Sequence, residues 1–447
     1  MSHSQSQTEP VSPRYVPLAG GLLFLMITLS VLAGLTDTLP SWWAGLCGWL
    51  AALLLISRVR RMQLLQSGVM LLVGISCLLW GLSEADAITL WLKALSANQA
   101  LVTMLAAVSF LRLVAASQMQ GERSEPQGVK AFWKTLLGVH LFGAVINISA
   151  MVIMAERLSQ RQPLTMTQAA TLSRGFGTAA LWSPFFAAMG VALTNSPGAH
   201  LFILALAGLP IAVCALWIGG SDMAKDAQIE AFKGYPLELS ALWIPSLLAL
   251  FIMIGHFLLP AVPVLTLISL VSILLPLLML ARISIQQRGT SHGLSAYRHH
   301  ILHVIPNIGS ELLLFLSAGV LAVGIGALVS TTHFSLGLTV FSAWHASGLL
   351  VISLLLSIMG VHPVITIATA GGLLANLDTS PDLLAMTFLM CWSGGVIGSP
   401  LSGMHLTLAG RFNVSNYTLF MRNRLFSIKF LLLQMIFLHL YEQASLF

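Results

Sequence analysis

The chain has 447 residues with 21 basic and 15 acidic side chains, so 8% of it is charged, against about a quarter in an ordinary soluble chain. Hydrophobic residues make up 57% and the mean hydropathy is +0.89, which excludes a soluble globular protein. The apolar runs, about 17–25 residues each, are long enough to cross a hydrocarbon core of about 30 Å as helix. Runs such as 247–254 and 312–329 lack the two-residue alternation of a transmembrane barrel, so the sequence predicts an all-α polytopic membrane protein embedded in a lipid bilayer. The net charge of +6 forms no basic stripe interleaved with aromatics, which argues against nucleic acid as a partner.

In chain order, residues 1–39 read as a polar tail and a first, uncleaved helix. Predicted spans lie near 17–35, 40–57, 66–82 and 95–115, followed by an interrupted stretch from 131 to 193. Further spans are expected at 199–219, 238–257, 262–281 and 309–330, then a second interrupted stretch at 336–410, a last span at 425–441 and a tail at 442–447. The total is about 11 transmembrane helices. Polar joints fall at 117–130, 220–237 and 283–308.

Arg58, Arg60 and Arg61 follow the second span and place that loop, and with it the N-terminus, in the cytoplasm of an inner membrane. The loop with Glu84 and Asp86 is then outside. Arg123, Lys130, Arg157, Arg161, Lys225, Lys233, Arg288, Arg298, Arg411, Arg422 and Arg424 all fall inside if each interrupted stretch holds a re-entrant hairpin and then a broken spanning helix. Lys93 is left outside. Cys47, Cys77, Cys214 and Cys391 sit in apolar stretches without metal or disulfide spacing and are expected to pack in the core.

The two interrupted stretches resemble each other. Asn147-Ile-Ser149 precedes Ser173-Arg-Gly175-Phe-Gly177-Thr178 and Ser183-Pro184; Gly360-Val-His362-Pro363 precedes Ser393-Gly394-Gly395 and Ser399-Pro400. Asn147 to Ser183 spans 36 residues and His362 to Ser399 spans 37. Gly and Pro unwind helices and free backbone groups that lipid cannot satisfy, and paired interruptions in two halves point to a transporter site. One helix plus five and five spans makes the second copy enter the membrane inverted. The expected halves are 40–219, with a hairpin at about 131–158 and a broken helix at about 165–193, and 238–441, with a hairpin at about 336–377 and a broken helix at about 382–410; residues 220–237 are the cytoplasmic linker.

On these motifs the chain resembles the ion transporter superfamily, and within it the divalent anion/sodium symporter and arsenite or citrate permease type, whose broken helices read like GGxGTxxGxPP. The resemblance implies a re-entrant hairpin and a discontinuous helix in each inverted repeat, elevator-like alternating access and a homodimer. Neither tip carries that family's Ser-Asn-Thr, which places proton coupling ahead of sodium coupling.

The expected substrate site comprises Asn147, Ser149, Arg174, Gly175, Gly177, Thr178, Ser183, Pro363, Thr366, Ser393, Gly394, Gly395 and Ser399. Half-helices starting near Thr178 and Ser399 would aim backbone N–H groups at an anion. Arg174, in an apolar stretch, needs a partner: a substrate anion, backbone carbonyls or the cytoplasmic interface. The serines supply hydroxyls or pack. His362 is a candidate proton carrier or a packing residue, with His140, His345 and His405 as competitors. Glu311 is a candidate proton relay or a solvated first-turn acid. His299, His300 and His303 read as a solvated basic loop, and the acceptor patterns at Asn413 and Asn416 lie inside.

No catalytic or metal-ligating constellation stands out, and no cofactor is expected beyond a coupling H+ or Na+. The expectation is therefore a permease for a small organic or inorganic anion, not an enzyme, with an intramembrane lipid-handling protein or transferase as the alternative.

Overall fold

The computed structural model describes residues 14–36, 38–82, 86–114, 126–226, 229–236, 243–286, 291–333, 337–338, 340–375, 377 and 379–445. The tail at 1–13, Glu84, Arg123, Arg288 and most of the joint at 117–130 lie outside them. Among the described residues the regular structure is helical apart from an isolated bridge between Gln127 and Lys233. Among the described residues nine helical stretches are long and apolar enough to cross a membrane, and Trp42–Arg58, Ser246–Leu258, Ala343–Ile358 and Pro363–Leu374 are shorter apolar helices. The chain is an all-α polytopic membrane protein.

The helices are α1 (Tyr15–Leu35), α2 (Trp42–Leu55), α3 (Arg61–Gly81), α4 (Ala87–Ser96), α5 (Gln99–Val108), α6 (Gly128–Ile146), α7 (Ile148–Leu158), α8 (Met166–Ala179), α9 (Ala187–Asn195) and α10 (Leu201–Ala224). They continue with α11 (Trp243–Leu258), α12 (Val264–Gln286), α13 (Ser291–His299), α14 (Gly309–Thr332), α15 (Ala343–Ile358), α16 (Pro363–Leu374), α17 (Pro381–Gly398), α18 (Gly403–Phe412) and α19 (Asn416–Ser445).

In such a chain both faces of a helix are apolar, so small residues, not polarity, decide which faces meet. Gly74 of α3 and Gly324 of α14 show this. A Cβ on Gly74 would lie 2.9 Å from the backbone of Leu321, and one on Gly324 would collide with the carbonyl of Gly74. The two backbones touch where any larger residue would hold them apart. Leu72, Leu206, Trp217 and Phe257 point outward and stay exposed, as lipid-facing side chains do.

Polar pairs at helix ends fix the direction of several helices. His200, at the start of α10, holds Asp382 at the start of α17, and Ala343 at the start of α15 donates to Glu442 near the end of α19. At the other end of α10, Asp222 pairs with Lys429 and Asp226 with Arg422, both from the first half of α19. Glu156 of α7 pairs with Arg411 of α18. The hairpin α6–α7 therefore enters and leaves at the Arg-rich end of the molecule, beside the Gln127–Lys233 bridge. The interrupted pair α8–α9 runs away from that end; α17–α18 runs toward it.

Three expectations need correction. The span set at 95–115 starts earlier, at Ala87, and bends at Asn98, which adopts a positive φ of 59° and donates from Nδ2 to Phe315 O at 2.8 Å. Residues 291–308 are helical, not a solvated loop: His300 is 2% exposed, lies against Phe110 and meets Ser109 Oγ at 2.9 Å. Of the four cysteines, Cys47 and Cys391 are buried and Cys77 packs half-buried against the core, whereas Cys214 is half-buried and not among the core residues.

Candidate functional site

Pro184 and Pro400 make the two interruptions. Proline lacks the N–H that would continue a helix and forces the preceding residue out of helical geometry. Ser399, just before Pro400, is extended at φ −101° and ψ 129°, and the helix resumes only at Gly403, where Ser402 Oγ accepts from His405 N at 3.3 Å. In the first half α8 ends at Ala179 and α9 starts at Ala187. The expectation that half-helices start near Thr178 and Ser399 is thus wrong: Thr178 lies in the last turn of α8, and the new N-termini are Ala187 and Gly403.

The glycines do not break the helices; they let neighbours in. A Cβ on Gly175 would stand 2.7 Å from Leu136 O, and one on Gly395 would stand 2.6 Å from Ser357 Oγ and 2.7 Å from Pro363 Cγ. A Cβ on Gly177 would run into Ile397, and Gly394 faces Gln434. Each glycine lies inside α8 or α17, and Gly175, Gly177 and Gly395 sit at close crossings.

The first interruption is clasped by its hairpin. Asn147 joins α6 to α7 with a φ of 52°, and its Nδ2 donates to Phe185 O at 3.0 Å. Ser183 Oγ donates to Ala144 O and accepts from Phe185 N at 3.2 Å. Trp182 Nε1 donates to His140 Nε2 at 3.0 Å. Ser149 lies half-buried in the first turn of α7. Thr178, fully buried, donates to Arg174 O at 2.9 Å.

The second interruption meets its own hairpin more loosely. His362 caps α16 by accepting from Val364 N at 3.2 Å, and its ring stands edge-on to Trp392 at 5.2 Å and Phe315 at 6.5 Å. Pro363 packs beneath Gly395, and Asn416 Nδ2 donates to Pro400 O at 3.1 Å. Ser399 Oγ accepts from Leu401 N at 3.2 Å. Thr366 Oγ1, Ser357 Oγ and Ser427 Oγ are buried without a hydrogen-bond partner, a cost that a polar guest would relieve. A cavity of about 10 Å³, the lower limit for one water, lies between Gly394, Gly395, Ser427 and Gln434.

The two interrupted helices cross each other. Ser393 Oγ donates to Gly177 O at 2.8 Å, and Ser173 Oγ meets His405 Nε2 at 3.0 Å. Asn423 of α19 completes the chain by donating to Ser173 Oγ at 3.1 Å. Arg174 is 4% exposed: Nε donates to Asn423 Oδ1 at 3.0 Å, and the two terminal nitrogens donate to Gly219 O at 2.9 Å and Arg422 O at 3.1 Å. Its guanidinium also lies 4.8 Å from the Phe426 ring. The substrate-site candidates thus gather around the two breaks and their tips. Glu311 does not join them; it sits exposed in the first turn of α14.

A cavity of about 560 Å³ opens beyond the crossing, between α3, α4 and α14 on one side and α9 and α16 on the other, lined by Lys93, Asn195, Ser330, Thr331 and Gly371 among others. The sequence left Lys93 without a role and gave no sign of Trp182 or Asn423. An indole and an amide in apolar surroundings stand out only once their partners are known.

No family model matches the chain, and no curated protein matches it significantly in sequence. Sixteen chains of solved structure match it. One is the Alcanivorax borkumensis YdaH transporter, whose crystal structure revealed an unusual topology. It is 15% identical, with a TM-score of 0.54 over 86% of this chain and 99% of that one. At this identity the likeness is one of fold.

Proposed function

We propose that the chain is a secondary active transporter for a small organic or inorganic anion, coupled to protons ahead of sodium, in an inner membrane with its N-terminus in the cytoplasm. The observation that carries this reading is the crossing of two interrupted helices that run in opposite directions, tied by the Ser393–Gly177 bond. Opposite direction and the same order of hairpin then broken helix fit two inverted repeats, 40–219 and 238–441, each bringing freed backbone to one place. The fold shared with a transporter agrees with it.

On this reading Asn147, Ser149, Thr178, Ser183, Thr366, Ser393 and Ser399 offer amide and hydroxyl groups to the solute, while Gly175, Gly177, Gly394, Gly395 and Pro363 shape the crossing. Arg174 contributes positive potential from behind them. The cavity at Lys93 is the route from outside, and movement of the hairpin-bearing body against α3, α4 and α14 opens and closes it. His362 and Glu311 remain candidates for proton transfer, and assembly as a homodimer belongs to the same reading.

Melting of the purified protein against a panel of small carboxylates, sulfonates, phosphates and phospholipids tests the assignment. An anion raises the melting temperature in proportion to the logarithm of its concentration above Kd. Stabilisation by phospholipid head groups alone would favour a lipid-handling protein or transferase.

A further inference from the structure

The chemistry of the indole fixes the state of His140. Trp182 Nε1 carries a hydrogen and no lone pair, so across the 3.0 Å to His140 Nε2 it can only donate, and Nε2 is bare. His140 Nδ1 lies 3.1 Å from Gly175 O, a carbonyl that requires the ring hydrogen on Nδ1. Thr178 Oγ1 lies at the same distance, with its own hydrogen directed to the carbonyls of Arg174 or Gly175. The ring is therefore neutral, with its tautomer set from both sides, and it is 4% exposed. A proton added to Nε2 would set two N–H groups face to face.

We propose that His140 is a proton-binding site whose occupancy releases Trp182 and, with it, the interrupted segment between α8 and α9. Three side-chain contacts clasp that segment to the first hairpin: His140 with Trp182, Asn147 with Phe185 O and Ser183 with Ala144 O. Only the first involves a side chain that can take up a proton, at the bare Nε2 of the ring. A proton binds more tightly to the conformer in which Trp182 has left, and by reciprocity it shifts the protein toward that conformer.

Arg174 lies on α8, the helix packed against His140, and its guanidinium is directed to Asn423, Gly219 O and Arg422 O. Lys130 and Lys134 of α6, Glu156 and Arg157 of α7, Glu230, Asp222 of α10 and Lys225 just after it sit toward the Arg-rich end. Arg112 follows the turn after α5. His256 of α11 lies at the opposite end, against Phe202. The identification of this proton as the coupling ion rests on the transport reading; the binding site does not.

The test labels the protein with 5-fluorotryptophan and follows the Trp182 resonance, identified by its loss in Trp182→Phe, from pH 8 to pH 4. In the unmodified chain it moves with a single titration. In His140→Gln, whose amide oxygen accepts the indole hydrogen without titrating, it stays in place. No movement in the unmodified chain, or equal movement in His140→Gln, overturns the proposal. Should His140→Gln fail to fold, acidification from pH 7 to pH 5 lowers the melting temperature of the unmodified chain more than that of Trp182→Phe; equal losses overturn the proposal. A titrating resonance together with identical pH profiles of uptake in the unmodified chain and His140→Gln upholds the proton site and removes its part in transport.

Discussion

Ser393 Oγ reaches 2.8 Å across to Gly177 O, joining the last turns that precede the two interruptions. Beside this bond a Cβ on Gly177 would run into Ile397. Gly177→Ala is therefore expected to destabilise the protein by about 1–3 kcal/mol through overpacking. Ile397→Ala alone costs about 2–5 kcal/mol through its cavity. The double variant should fall short of the sum by about 1 kcal/mol or more, because the new methyl fills the space left behind. Melting of the four proteins measures the coupling, and strict additivity would show that the helices do not cross here. Ser393→Ala should cost about 1 kcal/mol.

Arg174 holds Asn423, Gly219 and Arg422 together through three donors. Arg174→Gln leaves buried acceptors unpaired and is expected to destabilise by about 3 kcal/mol. Arg174→Lys should recover less than half of that, since an ammonium lacks the planar fork. In the protein that does fold, the anion concentration for half-maximal uptake should change by less than about twofold, a bound well below the tenfold of one lost 1.4 kcal/mol contact. A large rise in that concentration at unchanged stability would place the guanidinium on the solute.

The glycines and prolines show what could be read before the fold was known. Their clustering located both special regions, and the paired spacing of Asn147–Ser183 and His362–Ser399 suggested two copies. Which residue broke the helix was not legible, because Gly175 and Gly395 inside a helix and Gly in an unwound segment look alike in sequence. Only the close approach of Leu136 O and Pro363 tells them apart. The state of His140 was likewise hidden, since it depends on Trp182, 42 residues away. Arg174 could be seen to need a partner, but its partners on α10 and α19 arrive only with folding.

Lys93 lines the 560 Å³ cavity between α4 and α9 and is exposed. Lys93→Gln is expected to raise the half-saturating anion concentration about threefold at low salt, and the difference should shrink above about 0.15 M as ions screen the charge. The melting temperature should not move. A salt-independent effect would point to a contact other than attraction at a distance.

Asp86 caps α4: its carboxylate accepts from Thr89 Oγ1 and from Ile88 N, and these bonds hold its pKa below the ordinary value. A depressed folded-state pKa means that the stabilisation is full above the unfolded value and is lost as pH falls through the folded one. Asp86→Ala should thus melt below the unmodified chain at pH 7, and the gap should narrow as pH drops below about 4. Asp86→Asn should keep most of the cap. A gap of the same size at pH 2 and pH 7 would show that the charge of the carboxylate adds nothing to the cap.

Uptake into proteoliposomes, with an anion that stabilises the purified protein and an imposed pH gradient, separates proton-driven transport from passive movement. A proton-coupled carrier accumulates the anion above equilibrium, loses that accumulation when a protonophore is added, and is not driven by a sodium gradient alone. Movement of the anion only to equilibrium, unaffected by either gradient, would contradict that coupling.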